Sequence, residues 1–229
     1  RLQTDYIDLY QLHWPERKTN FFGRLGYKHV ENDAEWNEFE NILKVLKKFI
    51  DQGKIRHIGI SNETPWGLSK FLKLSENLRL PRVMAIQNPY NLVNRTFEIG
   101  LSEISIREKV GLLAYSPLGV GFLTGKYREN KMPKNSRIAL FAENYPRYLS
   151  PKTYEAVDEY FEISKKHGIS LTHMSLAFVN SRNFLTSNII GATSMEQLKE
   201  NIDSLKVTLD KKIIDEIEIV HKNNPNPAP

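Results

Sequence analysis

A short apolar segment that opens into a glycine-rich loop, GLLAYSPLGVGFLTGKY at Gly111–Tyr127, decides the fold of this chain. Its first five residues have the composition of a strand buried on both faces, and such strands belong to parallel sheets covered by helices. After Tyr115 the segment contains a proline and three glycines, and glycine lets a backbone approach a ligand closely. The pattern predicts an α/β fold with a ligand-binding loop at the C-terminal end of a buried strand.

Four other segments have the composition of strands, and helical patterns separate them. The predicted strands are Tyr6–Trp14, Ile55–Asn62, Val83–Asn88 and Asn188–Thr193. Helices are predicted at Trp36–Asp51, after the cap Thr64-Pro65, at Thr96–Glu108, after Ser150-Pro151, after Ser170, from Met195 and after Asp210. This alternation predicts right-handed βαβ units in a parallel sheet. No composition shift marks a boundary, so we predict one domain over residues 1–229, with a tail after Asn223 that is unstructured in character.

Composition narrows the functional class. The chain has 229 residues and no cysteine, which excludes disulfides and thiolate metal sites and suits the cytoplasm. The net charge of +5 is spread over interspersed acidic and basic residues, which argues against nucleic acid as a partner. No apolar run is long enough to cross a bilayer. These features favour a cytoplasmic protein with a small-molecule ligand, no metal and no membrane partner.

Every predicted strand ends in polar or aromatic residues. These ends are His13-Trp14, Ser61-Asn62, Gln87-Asn88, Tyr115-Ser116 and Gly191-Ala192-Thr193-Ser194. Because functional residues of parallel α/β folds collect at the C-terminal ends of the strands, we expect these side chains to form one site. Each one alone also has a structural interpretation, such as a structural histidine, a turn cap, a buried network glutamine or a core tyrosine.

The segment Thr193–Gln197 predicts a helix start directly after the last strand. Ser194 followed by Gln197 has the spacing of a capping box. The free amides and positive dipole end of such a helix attract phosphate, although an ordinary capped helix has the same pattern.

Five segments together resemble the aldo/keto reductase superfamily, most nearly its bacterial Tas-like branch. They read TDYIDLYQLHWP, GKIRHIGISNET, IQNPYNLVNR, LLAYSPLGVGFLTGKY and IIGATSMEQLKEN, in the family's order from residue 4 to residue 201. The resemblance implies a (β/α)8 TIM barrel of the aldo/keto reductase type, of which this chain holds only strands 4 to 8 and their helices. It also implies an NADP(H)-dependent oxidoreductase that reduces aldehydes and ketones, with NAD(H) as an open alternative.

The resemblance assigns roles to residues at the strand ends. It implies that His13 is catalytic and orients the substrate carbonyl. The residues implied for the nicotinamide are Ser61, Asn62 and Gln87 at its carboxamide and Tyr115 on its ring. The implied pyrophosphate loop comprises Ser116, Pro117, Leu118, Gly119, Gly121, Leu123, Gly125 and Lys126, with Arg137 after it. The implied adenosine-phosphate site comprises Gly191, Thr193, Ser194, Gln197, Glu200 and Asn201.

The chain departs from the family pattern at its start. The first three βα units of the family have no counterpart, and they carry the Asp, Tyr and Lys that act with the histidine. Five strands of eight cannot close a barrel, which would leave sheet edges and apolar surface open. We therefore expect the chain as given to be part of a larger enzyme, and to be poorly soluble and inactive alone.

Two other functions are compatible with the same residues. The first is a non-catalytic, cofactor-binding regulatory subunit with the same fold, which the missing catalytic residues would suit. The second is a different parallel α/β enzyme that shares only the strand ends. The sequence leaves the substrate and the oligomeric state undefined.

Overall fold

The computed structural model describes residues 2–31 and 38–229, and all elements named here lie in those ranges. The strands are β1 (Ile7–Leu12), β2 (Ile55–Ser61), β3 (Val83–Pro89), β4 (Gly111–Tyr115) and β5 (Leu185–Asn188). The helices are α1 (Phe39–Asp51), α2 (Pro65–Leu78), α3 (Leu101–Arg107), α4 (Arg137–Phe141), α5 (Pro151–Lys166), α6 (Leu171–Asn180), α7 (Met195–Asp203) and α8 (Lys211–Asn223). The predicted α/β alternation is confirmed.

The chain divides into two compact units. The first comprises Arg1–Asn88 and Gly100–Leu113, and the second comprises Pro89–Ile99 and Ala114–Pro229. Strand β4 therefore gives its first three residues to the first unit and its last two to the second. Compactness alone does not test independent folding, so the single domain over residues 1–229 remains a prediction.

In the first unit the strands are neighbours in the order β1-β2-β3-β4. The pairs β1–β2 and β2–β3 are parallel, with Leu12 opposite Ile60 and Ser61 opposite Gln87. This register places the polar ends of β2 and β3 side by side, as the sequence predicts for parallel strands.

Helices α1 and α2 cover the first unit with apolar side chains. Phe39, Leu43 and Leu46 are buried on α1 at helical spacing, and the Phe39 ring meets the ring of Phe71 on α2 edge to face at 4.6 Å. The predicted start of this helix at Trp36 lies outside the described residues.

In the second unit β5 lies beside the end of β4, and here the predicted strand Asn188–Thr193 is wrong. The strand ends at Asn188, and the amide of Ile189 makes one further bond to the carbonyl of Ala114 at 2.8 Å. The reason is that β4 ends at Tyr115, so a longer β5 has no neighbouring backbone to pair with.

The predicted helix caps are confirmed, but one predicted helix is broken. The side chains of Thr64, Ser150, Ser170 and Asp210 each accept a hydrogen bond from an amide in the first helical turn. The helix predicted over Thr96–Glu108 is interrupted by Gly100, whose φ of 94° is not helical, so that a 3-10 turn precedes α3. Here the backbone freedom of glycine overrides the apolar periodicity.

The predicted unstructured tail is also wrong. Ala228 is fully buried, and its amide donates to the carbonyl of Val93 at 3.0 Å. The carbonyl of Pro227 accepts from the hydroxyls of Ser150 and Thr153. Prolines lower the conformational entropy of the unfolded tail, so these few contacts suffice to order it.

A buried ion pair closes the turn between β2 and α2. The guanidinium of Arg17 binds both carboxylate oxygens of Glu63 at 2.9 Å and 2.5 Å and also donates to Thr64. Gly67 leaves the space for this pair, because a Cβ there would lie 2.2 Å from Glu63 Oε1 and 2.7 Å from Arg17 Nη2.

We predict that Gly67→Ala destabilises the protein by about 1–3 kcal/mol, since the added methyl overpacks a buried site and displaces the ion pair. Urea unfolding of the variant measures this loss. Gly191→Ala is the matched control, because a Cβ at Gly191 meets nothing within 4 Å. Equal stability of the two variants would contradict the assigned role of Gly67.

Candidate functional site

At the ends of β2 and β3, Ser61, Asn62 and Gln87 form one hydrogen-bonded group in the first unit. The Ser61 hydroxyl donates to the carbonyl of Gln87 at 2.6 Å, and the Asn62 amide donates to the Ser61 hydroxyl at 3.1 Å. Ser61 and Asn62 are buried, and Asn62 has a φ of 56° that turns the chain sharply out of the strand. Three residues predicted for one ligand group therefore lie together, although their roles remain predictions.

His13 joins this group through its backbone. Its carbonyl accepts from the Asn62 side chain at 2.8 Å, while its exposed imidazole packs against the Trp14 ring at 4.2 Å. The histidine main chain is thus fixed and its ring lies at the surface of the unit.

Gln11 is a further polar side chain of this region, and it is absent from the residues predicted from sequence. Its Nε2 donates to Oε1 of Gln87 at 2.8 Å, and its own Oε1 is buried without a hydrogen-bond partner in the described part of the chain. Gly59 makes room for it, because a Cβ there would lie 3.1 Å from Gln11 Cγ. A buried acceptor beside a glutamine amide suits the donor and acceptor of a carboxamide. Alternation along β1 could have flagged Gln11, since it faces the same side as His13.

In the second unit the segment from Ser116 to Lys126 forms a compact loop with several left-handed residues. The positive φ values are 54° at Ser116, 53° at Gly119, 50° at Val120, 100° at Gly121 and 78° at Gly125. Amides of Gly119, Gly121 and Leu123 bond back to carbonyls of the loop itself. Pro117 and Leu118 lie in the same turn. All predicted pyrophosphate-loop residues except Arg137 therefore belong to this one compact loop.

Lys126 folds back over the loop. A Cβ on Gly121 would lie 2.8 Å from the Lys126 ammonium, which also sits 5.3 Å from the centroid of the Tyr127 ring. No carboxylate among the described residues pairs with this ammonium. An ammonium without a carboxylate partner, held over a tight loop, is suited to an anion.

Tyr115 at the end of β4 is half-buried beside Arg147. Burial raises the pKa of Tyr115 to about 12, and the neighbouring guanidinium of Arg147 opposes this rise. Arg147 lies 5.2 Å from the ring of Tyr148, and its Nε is buried with no hydrogen-bond partner in the described chain. The sequence does not distinguish Arg147, because the connection Gly119–Leu149 contains several arginines and only the fold separates them.

The start of α7 gathers most of the residues predicted after the last strand. The Ser194 hydroxyl accepts from the backbone amide of Gln197. The side-chain Oε1 of Gln197 accepts from the backbone amide and the hydroxyl of Thr193 at 2.9 Å and 3.1 Å. Asn201 donates to the carbonyl of Gly191 at 3.4 Å. The capping box is confirmed in a variant form, since Gln197 reaches the amide of Thr193 and not that of Ser194.

Two predicted residues stand apart from these groups. Glu200 accepts from the Ser170 hydroxyl at 3.5 Å, which ties α7 to the start of α6. Arg137 is exposed at the first position of α4.

Within residues 2–31 and 38–229, no group of three or more His, Cys, Asp or Glu side chains is arranged to hold a metal ion. None of the helices in these ranges is both long and apolar enough to cross a membrane.

This chain is similar to one protein family and to several known proteins. Residues 1–222 match the aldo/keto reductase family, so the chain belongs to it. The chain is 48% identical over its full length to Protein tas of Escherichia coli, which confirms the Tas-like resemblance. It is 39% identical over 213 residues to an aldo-keto reductase of Babesia bovis, covering 88% of this chain and 75% of that protein. It is also 29% identical to a probable voltage-gated potassium channel subunit beta of Oryza sativa, over 98% of this chain and 65% of that protein.

The solved structure of a glycerol dehydrogenase from Gluconobacter oxydans has the same fold. It matches with a TM-score of 0.73 and 25% identity, covering 98% of this chain and 61% of that one. The chain thus spans 66% of the length of Protein tas and a similar share of that dehydrogenase.

We predict that Tyr115 contributes to stability only below its titration range. Its folded pKa of about 12 exceeds the ordinary value of 10.0, so the folded state holds the proton more tightly and the contribution is lost as pH rises from 10.0 to about 12. The difference in free energy of unfolding between wild type and Tyr115→Phe should be constant at lower pH and change across this window. Other buried tyrosines titrate in both proteins, so their contributions cancel when the two free energies of unfolding are subtracted. A difference in free energy of unfolding that stays constant across the window would contradict the assignment.

Proposed function

We propose that this chain is part of an NADP(H)-dependent oxidoreductase that reduces aldehydes and ketones to alcohols. It would supply strands 4 to 8 and their helices to a (β/α)8 barrel. The observation that carries the proposal is the loop Ser116–Lys126, in which left-handed residues bend the backbone sharply and one lysine lies over it without a carboxylate partner in the described chain. Family membership gives this anion site its dinucleotide interpretation.

Residues of the first unit would bind the nicotinamide end. Ser61, Asn62 and Gln87 would hold the carboxamide, and the buried Oε1 of Gln11 would accept from its amide nitrogen. An acceptor left unpaired in the protein interior costs free energy that a ligand donor relieves. When bound, the cofactor supplies the hydride, and the residues of this chain position it.

Residues of the second unit would bind the phosphates. The Ser116–Lys126 loop with the Lys126 ammonium suits the pyrophosphate, and Tyr115 offers a flat face for the nicotinamide ring. The start of α7, with Thr193, Ser194 and Gln197, would hold the adenosine phosphate at the positive end of the helix dipole. Arg137, Glu200 and Asn201 would complete that end. The preference for NADP(H) over NAD(H) is part of the proposal.

On the substrate side, His13 would orient the carbonyl. Its fixed main chain and exposed ring leave the imidazole available to a hydrogen-bond acceptor. No residue of this chain is assigned the proton-donating role, which the family resemblance places in units that precede the matched segments.

A second candidate is a cofactor-binding regulatory subunit. The similarity to a protein named as a probable potassium channel subunit beta, over 98% of this chain, favours it. Both candidates bind the dinucleotide, but only the enzyme oxidises bound NADPH when an aldehyde is added.

We predict that Lys126→Met, in the protein expressed from its natural gene, weakens NADPH binding about 10- to 100-fold, since one charge-assisted hydrogen bond is lost. Quenching of intrinsic fluorescence measures the Kd for NADPH. The measurement is repeated at several salt concentrations, because salt screens the contribution of the Lys126 charge. Lys212→Met on α8 is the control, because it makes the same charge change at an exposed position. Equal effects of the two variants would contradict the loop assignment, and equal Kd values for NADPH and NADH would overturn the NADP(H) preference.

A further inference from the structure

The turn Asn91–Asn94 in the second unit is held rigidly. The backbones of Asn91 and Asn94 exchange two hydrogen bonds of 3.0 Å, and the Asn91 side-chain oxygen accepts from the amide of Val93 at 3.0 Å. The hydroxyl of Tyr160 on α5 donates to the carbonyl of Leu92 at 3.1 Å. Asn91, Leu92 and Val93 are fully buried, so this turn is a fixed support and not a surface loop.

This turn directly contacts the glycine-rich loop. The Asn91 side-chain amide donates to the carbonyl of Ser116 at 2.9 Å, and the amide of Tyr90 donates to the carbonyl of Tyr115 at 3.3 Å. Val93 packs against Gly119, where a Cβ would lie 3.4 Å from Val93 Cγ2. The contacts therefore fall on the first left-handed residues of the loop.

The C-terminal tail holds the other side of the same turn. The amide of Ala228 donates to the carbonyl of Val93 at 3.0 Å, and the Asn226 side-chain oxygen accepts from the amide of Arg95 at 2.6 Å. The Arg95 guanidinium binds Glu98 and, on α8, Glu218 at 3.0 Å. The tail and α8 thus fix the residues that follow the turn.

Left-handed backbone at non-glycine residues persists only where surrounding contacts hold it. Ser116 and Val120 have φ values of 54° and 50°. The Asn91 bond to Ser116 and the Val93 contact with Gly119 are such contacts, and the tail in turn orders Val93.

We propose that residues Asn226–Pro229, acting through the Asn91–Asn94 turn, position the Ser116–Gly121 loop for dinucleotide binding. We call this arrangement the tail brace. Its residues are positioning residues, because they reach the ligand only through the loop. The inference rests on the proposed function for the identity of the ligand, but the coupling between tail and loop is independent of it.

The test compares two substitutions at Asn226 in the protein expressed from its natural gene. Asn226 has a φ of 49°, which both glycine and aspartate accept. Asn226→Gly removes the acceptor of the Arg95 amide, whereas Asn226→Asp retains it. A truncation after Pro225 removes the whole brace.

We expect Asn226→Gly to raise the Kd for NADPH about two- to tenfold, as for one lost hydrogen bond, and the truncation to raise it further. Asn226→Asp keeps the acceptor, so its Kd for NADPH should stay within about twofold of the wild-type value. Hydrogen exchange of a peptide over Ser116–Gly125 should accelerate in Asn226→Gly and in the truncated protein. A peptide over α7 should exchange as in wild type.

Unchanged exchange of the loop in folded Asn226→Gly would overturn the brace, and so would equal acceleration in the loop and in α7. If wild type binds neither NADPH nor NADH, the proposed function fails, yet the exchange comparison still decides the coupling. If the truncation does not fold, the Asn226 pair decides it alone.

Discussion

The structure depends on how its strands end. In both units a non-glycine residue with left-handed backbone directly follows a strand: Asn62 after β2 and Ser116 after β4. This conformation costs free energy for an L-residue, so it requires hydrogen bonds that hold it. Asn62 bonds to the carbonyl of His13, and the carbonyl of Ser116 receives the side chain of Asn91. The sharp turns present polar groups at the strand ends, where parallel sheets bind ligands.

The fold was predictable from sequence where a local pattern was sufficient. Strand β4 has the predicted bounds because its apolar run ends abruptly at Tyr115, and the caps at Thr64 and Ser150 follow from side-chain chemistry within one turn. The break in the helix predicted over Thr96–Glu108 has a local cause at Gly100, but two other errors arise where a distant partner decides. The end of β5 depends on the length of β4, and the order of the tail depends on Val93 and Ser150. Neither partner is visible in a local window.

The candidate site shows the same division. The residues of the Ser116–Lys126 loop and the cluster at the start of α7 could be found from composition and spacing. Each set is formed by residues close in sequence, so a local pattern was sufficient to predict that its members lie together. Gln11 and Arg147 could not be found so easily. Their distinguishing property is burial without a full set of hydrogen bonds, which appears only when the surrounding chain is in place. The ligand roles of all these residues come from the family and from chemical fit.

The backbone of Gly121 constrains how this loop can vary in evolution or in a mutant library. Its φ of 100° is a conformation that residues with a Cβ rarely adopt. A methyl group at position 121 would also lie 2.6 Å from the Lys126 side chain, but this flexible chain end can move aside. Randomising position 121 should therefore recover mainly glycine, whichever residue stands at position 126.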